Sequence, residues 1–219
     1  HRDLHSFPTR RSSDLRVSVP ASEKKSTKKK TTARALTIDF GKEVVGSVIL
    51  DINGAGLDGA VADILVTEGL QPDGLTPVFL RPEEHCRGSM GGRLILRDGQ
   101  TRHEFFHYFG FRHLVVILRN ADSAADIGVR LREVVYDFDI RASFQSTDET
   151  LNGIWDISRR TQLGCTQDAY VDCPWREQAQ WWGDARVQGA NTFYLSADAR
   201  PLARGIRQID HQRVPNGLT

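Results

Sequence analysis

Three cysteines, one methionine and no long apolar run set the first limits on this 219-residue sequence. Cys86, Cys165 and Cys173 are odd in number and form no C-x-x-C pair, so they spell neither a structural zinc site nor a redox motif. Unpaired thiols lean toward a reducing, cytoplasmic compartment. No stretch approaches the roughly 20 apolar residues that a membrane-crossing helix needs, so no membrane partner is expected. Net charge is missing as well: 29 basic and 28 acidic side chains leave +1, and that balance calls for no nucleic acid or other polyanion. What remains, 39% hydrophobic and 26% charged, is the composition of a globular chain with room for one large domain or two small ones.

The opening "HRDLHSFPTRRSSDL" has no initiator Met, no signal-peptide core and no period, and "SFPTRRSSDL" resembles the in-frame translation of a sequencing adapter. It reads as a non-native leader; the natural N-terminus would then be missing, which leaves secretion open. "ASEKKSTKKKTTAR" follows, with five lysines and almost nothing apolar. It cannot repay the entropy of ordering, and it lacks the interleaved aromatics of a nucleic-acid groove. Residues 1–34 are therefore expected to be leader plus disordered basic linker.

From Ala35 to Ile140, β-branched runs ("VVGSVILDI", "AVADILVTEGL", "FRHLVVILR") alternate with Gly, Asp and Pro turns, the pattern of an all-β sandwich domain. At Arg141 the texture changes. Ser146 and Glu149 have capping-box spacing, with Leu151, Ile154, Trp155 and Ser158 at helical spacing behind them. A second helix is expected from Asp184. A third follows "SADARP", with Ser196 or Asp198 as cap, Pro201 in the first turn and Leu202, Ile206 and Ile209 as its apolar stripe. Three such helices cannot bury their faces alone, so residues 141–219 read as part of a larger helical domain.

Two motifs point elsewhere and are rejected. "GAGLDG", Gly54 to Gly59, spells the dinucleotide fingerprint, but no long helix opens at its last glycine; a turn between strands fits better. "HEFFHYFGFRH", His103 to His113, fits the zinc-protease pattern. It follows the turn "RDGQ" too closely for a helix and runs into "LVVIL" as a strand would. On a strand, His103 and His107 stand about 13 Å apart and His113 about 20 Å further on, too far for one coordination sphere. The Met-turn of that protease class is also missing downstream, since the only methionine is Met90.

The chemistry concentrates in "VDCPWREQAQWWGDARVQGAN". Asp172, Glu177 and Asp184 stand there with Arg176 and three tryptophans, a mixture suited to sugar hydroxyls and to the C–H faces of sugar rings. By composition alone a capped helix start with core tryptophans fits equally well. "DCPWREQAQWWGD" resembles the signature of the α-L-rhamnosidases of glycoside hydrolase family seventy-eight, D-C-P-x-R-E or D-C-P-x-R-D-E ahead of an aromatic and G-D. "IDFGKEVVGSVIL", "EGLQPDG" and "FFHYFGFRHLVVI" are similar to the β-domain of that family, and "FQSTDETLNGIWDISRRTQ" to the opening of its catalytic barrel.

The resemblance implies a β-sandwich (35–140) followed by the first part of an (α/α)6 barrel (141–219), and inverting hydrolysis of terminal α-L-rhamnose without metal or cofactor. It makes Glu177 the general acid, its pKa raised by burial against Trp175, Trp181 or Trp182. Asp172 and Asp184 would hold ring hydroxyls, Arg176 would orient a carboxylate or bind a hydroxyl, and a tryptophan, Trp181 or Trp182 among the substrate-binding candidates, would pack against the 6-deoxy methyl. The base expected for inversion has no candidate before Thr219, so this chain alone is expected to be inactive. "WREQAQWW" departs from the R-D-E-R form of some members, which bears on sugar specificity. A carbohydrate-binding β-domain is the alternative function, and a zinc metalloprotease the remaining one.

Overall fold

The computed structural model describes residues 12–19, 33–78, 90–121, 125–212 and 214–217. The lysine run and Cys86 lie outside them. The chain divides into two compact units, one ending at Val134 and one beginning at Val135.

In the first unit β1 (Ser12–Val19), β2 (Ala33–Gly54), β3 (Val61–Thr67), β4 (Gly91–Ile95), β5 (Gly99–Arg119) and β6 (Ala125–Glu133) form one antiparallel sheet. Their order is β1-β6-β2-β5-β3-β4. β2 and β5 are paired along most of their 22 and 21 residues. The register breaks twice: residues 40–43 of β2 stand opposite Arg112, and Phe105 to His107 of β5 stand opposite Val48. Extra residues of this kind bend a strand and sharpen its twist. The later half of β2 thus also pairs with β6, and the later half of β5 with β3. Ile38, Ile52, Ile64, Phe111 and Ile127, drawn from both halves, share one core. This is the expected β-sandwich domain.

β1 differs from the expectation that residues 1–34 hold no ordered element. Its eight residues pair with β6 from Ser12↔Arg132 to Val19↔Ala125. An edge strand such as β6 otherwise presents a row of unpaired N–H and C=O groups, which an extended segment can satisfy whatever its origin.

Both rejected motifs take strand and turn roles. "GAGLDG" joins β2 to β3, and the Asp98 carboxylate accepts from the Leu57 and Asp58 N–H groups at 2.5 and 3.2 Å. The loop's backbone donors are thus met by the chain's own acid, while Leu57 is fully buried. "HEFFHYFGFRH" lies within β5, with His103 opposite Leu50 and His113 opposite Asp39. Glu104 is paired with Arg132 at 2.6 and 2.8 Å, and His107 stacks on Tyr108. Strung along a strand, these histidines lack the helical turn that a zinc protease needs to bring two of them together.

Arg112, in the same motif, spans the first bulge. Its guanidinium donates to both Asp39 oxygens at 2.8 and 2.9 Å, and Asp39 also accepts from the Gly41 N–H. These donors hold the Asp39 carboxyl far below its usual range, the Arg112 hydrogen bond contributing most.

The second unit holds α1 (Glu149–Gly164), α2 (Trp182–Leu195) and α3 (Arg200–His211). α1 begins where expected, but its cap is Asp148, whose Oδ1 accepts from the Thr150 N–H at 2.8 Å. Ser146 instead accepts from the Asp148 N–H, because the nearer carboxylate outcompetes a hydroxyl for the first free helix donors. On α3 the expected stripe holds in part: Leu202 packs against the cluster of Phe138, Tyr170 and Ala185, and Ile209 is half-buried. Ile206 is 56% exposed, and the buried positions are Pro201 and Gly205. The inward side carries small residues because α3 packs close to its neighbours: a Cβ on Gly189 of α2 would stand 3.3 Å from Leu202.

Two stability outcomes follow. A Cβ on Gly46 would collide with the Arg132 carbonyl of β6, whereas one on Gly153 of α1 meets nothing. Gly46→Ala should lower stability by about 1–3 kcal/mol and Gly153→Ala raise it by up to about 1 kcal/mol, both read by denaturant unfolding. For the exposed Asp39–Arg112 pair, Arg112→Ala should lower stability only slightly at pH 7. The folded Asp39 carboxyl titrates below the unfolded one, so this contribution is present above about pH 4 and is lost as pH falls through the folded value. The difference between wild type and Arg112→Ala should therefore shrink in acid.

Candidate active site

The segment leading to the site is fixed from behind. Cys165 caps α1, its carbonyl accepts from the Val171 N–H at 2.9 Å, and Thr166 and Tyr170 form an antiparallel bridge. Tyr170 is buried, and its hydroxyl donates to Thr192 Oγ1 at 2.8 Å. Burial pushes the Tyr170 phenol above its ordinary pKa, so it stays a neutral donor. Gln188 of α2 donates to the Val171 carbonyl at 2.7 Å, and Gln162 of α1 donates to the Gln188 carbonyl and to Thr192. Linked hydrogen bonds of this kind between α1, α2 and the segment at Val171 make a rigid base.

From that base "DCPWREQA" leaves and returns as a closed loop. Asp172 N–H donates to the Ala179 carbonyl at 2.9 Å, and Asp172 Oδ1 accepts from the Ala179 N–H at 2.9 Å. Inside the loop Gln178, in the left-handed region at φ 51°, donates to the Pro174 carbonyl at 2.7 Å. Cys173 Sγ accepts from the Glu177 N–H at 3.3 Å. The loop thus presents Glu177 outward with its backbone N–H already paired.

The Glu177 carboxylate meets two donors. Trp181 Nε1 donates to Oε2 at 2.9 Å and Arg176 Nη2 to Oε1 at 3.1 Å. The expected burial of Glu177 against the tryptophans is not what the structure shows. Its side chain is 41% exposed, because it rides on the outer turn of the loop, and the one indole that reaches it does so as a hydrogen-bond donor.

The other expected residues divide in two. Trp181 is the N-cap of α2 and 56% exposed, and Asp184 is exposed in the first turn of the same helix, where its charge favours the helix dipole. Trp182 is half-buried and packs against the cluster of Phe138, Tyr170 and Ala185. Loop, helix start and carboxylates are brought together on one short stretch of chain; Trp182 turns toward the interior. Trp175 Nε1 and Gln180 Nε2 are buried donors with no partner among the described residues.

Two contributors escaped the sequence reading. Cys173 acts through the Glu177 backbone, with only its i, i+4 spacing as a signal. Gly205 of α3 is the second: a Cβ there would overlap the six-membered ring of Trp182 and lie 2.9 Å from Gln180 Nε2. Asp198 sets the start of α3 by accepting from the Arg200 N–H at 3.0 Å, and the Arg200 guanidinium beside it lowers its pKa.

Residues 139–219 match the family described as the bacterial alpha-L-rhamnosidase 6 hairpin glycosidase domain. The structure superposes on a GH78 family rhamnosidase of Bacillus sp. GL1 with a TM-score of 0.73 and 25% identity, over 87% of this chain and 18% of that one. The chain is similar to GH78 rhamnosidases. An alpha-L-rhamnosidase of Formosa agariphila is 29% identical over 156 residues, 68% of this chain and 16% of that protein. A rhamnosidase from Klebsiella oxytoca, solved with rhamnose bound, shares the fold at a TM-score of 0.67 and 18% identity. The chain thus corresponds to less than a fifth of the first two relatives, and its helical part is what the family model matches.

Gly205→Ala should displace the Trp182 indole and loosen the α2 start. A changed near-ultraviolet tryptophan signal with unchanged far-ultraviolet helix content is the expected result.

Proposed function

We propose that the protein to which this chain belongs is a glycoside hydrolase that releases terminal α-L-rhamnose from glycosides with inversion, and that Glu177 is its general acid. The observation that carries the reading is the outward carboxylate of Glu177, held by Arg176 and Trp181 at the tip of a loop locked by Asp172, in a chain related to rhamnosidases. Glu177 protonates the glycosidic oxygen as the bond to the anomeric carbon breaks, which keeps an alkoxide from having to leave. Asp184 and Arg176 take ring hydroxyls, and the exposed face of Trp181 takes the apolar side of the sugar. Asp172, while fixing the loop, offers a carboxylate to a hydroxyl at its mouth. The buried donors on Trp175 and Gln180 support a polar ligand, since such groups are normally paired.

Inversion also needs a carboxylate to activate water, roughly 6.5–9.5 Å from the acid. In this reading that base lies beyond residue 219, and the chain by itself turns over no substrate. No metal or cofactor takes part.

The protein expressed from its complete reading frame should release rhamnose from an alkyl α-L-rhamnoside, with the inverted anomer seen first by NMR. Glu177→Gln should slow release by about 10²- to 10⁴-fold. The loss should be smaller on the 4-nitrophenyl rhamnoside, whose leaving group needs less protonation. A variant unimpaired on the alkyl glycoside would remove Glu177 from the acid role.

A further inference from the structure

We infer that Trp181 is a positioning residue for Glu177: its indole N–H fixes the carboxylate in the orientation the acid needs, a role separate from any contact its ring makes with a sugar. This rests on the proposed acid role of Glu177 for its catalytic meaning, and on geometry for the rest.

An exposed glutamate on a surface turn ordinarily samples several rotamers. Two groups restrain this one, and they differ in stiffness. Arg176 is its immediate neighbour, with a long side chain 44% exposed, and makes one contact at 3.1 Å. Such exposed pairs between flexible side chains are weak. Trp181 has only two side-chain torsions and stands on a fixed base. Its backbone N–H donates to the Ala179 carbonyl at 3.1 Å, tying it to the loop neck, and its carbonyl accepts from the Ala185 N–H at 2.9 Å as α2 begins. Its extended N-cap conformation, φ −81° and ψ 128°, turns the indole back toward the loop, where Nε1 reaches Glu177 Oε2 at 2.9 Å.

The carboxylate is therefore held from both ends. Cys173 Sγ fixes the Glu177 backbone at 3.3 Å, and Trp181 fixes the oxygen. Because Trp181 remains 56% exposed, its ring face is open while its edge is engaged. One side chain can therefore stack on a ligand and orient the acid at once. Misplacing a catalytic group by about 1 Å can cost on the order of 100-fold in rate, so this single hydrogen bond has leverage.

The test separates the hydrogen bond from the activity. In ¹⁵N–¹H spectra of the 219-residue chain, with the Trp181 indole signal assigned by its loss in Trp181→Phe, Glu177→Ala should shift that signal upfield and speed its exchange with water. The Trp155 indole on α1 should be unaffected. An unmoved Trp181 signal would overturn the inference, whatever the enzyme does. In the protein from the complete reading frame, Trp181→Phe keeps a ring for stacking but removes the donor. It should lower kcat by about tenfold or more with KM changed less than about twofold, and Trp181→His should recover part of the loss. A Trp181→Phe variant with raised KM and unchanged kcat would make Trp181 a binding residue only, and overturn the positioning role. A protein that hydrolyses no rhamnoside but shows the Glu177-dependent indole shift would sink the proposed function and leave the hydrogen bond standing.

Discussion

Glu177 sits at the tip of a loop whose two sides are joined by paired hydrogen bonds between Asp172 and Ala179. A loop of this length left open would lose several backbone contacts and let its tip wander, and closing it carries an entropic cost that the closing contacts must offset. Backbone and side chain of Asp172 both take part, so one residue closes the neck twice. Behind the neck, Gln188 and Tyr170 tie the same strand of chain to α2, and α2 in turn carries Trp181 back to the carboxylate. The acid's orientation depends on this circuit more than on any one contact to the acid itself.

The circuit explains what the sequence could and could not reveal. The cluster of Asp172, Arg176, Glu177, Trp181 and Asp184 was legible because a resemblance gathered those letters, and they do lie together on one loop and helix start. Their contacts were not legible. Asp172 hydrogen-bonds to the main chain of its own loop, Trp182 packs inward, and Glu177 stands exposed where burial was expected. Each of these depends on which way a side chain turns at a particular backbone angle, such as the left-handed Gln178, and no periodicity encodes that.

The same holds at the level of fold. Strands with strong β-branched runs and helices with strong period were placed correctly in kind. Motif letters misled only when detached from context: "GAGLDG" binds an anion, as its pattern advertises, but the anion is Asp98 of the same chain. "HEFFHYFGFRH" keeps its histidines in a strand because pairing with β2 and β3 decides its conformation. The paired ends of that motif hold Glu104 to Arg132 and Arg112 to Asp39, two ion pairs between strands that serve the sheet. Ser12–Val19 was missed for the opposite reason, since an edge accepts a strand by its backbone, which composition does not display.

The α3 stripe shows where the helical unit departs from an isolated amphipathic bundle. In such a bundle the large apolar side chains would face inward, yet Ile206 of α3, Ile154 and Ile157 of α1 and Val187 of α2 are each more than half exposed, while Gly189 and Gly205 face neighbours. Small residues inward and large residues outward are favourable only if the inner contacts are between closely approaching backbones and rings. That is what Gly205 gives Trp182, and Gly189 gives Leu202. The glycine that looks like a weak point in α3, costing about 1 kcal/mol of helix propensity, is thus what makes room for the Trp182 ring at the start of α2. The neighbouring Trp181 then begins that helix at an angle from which its indole can reach Glu177.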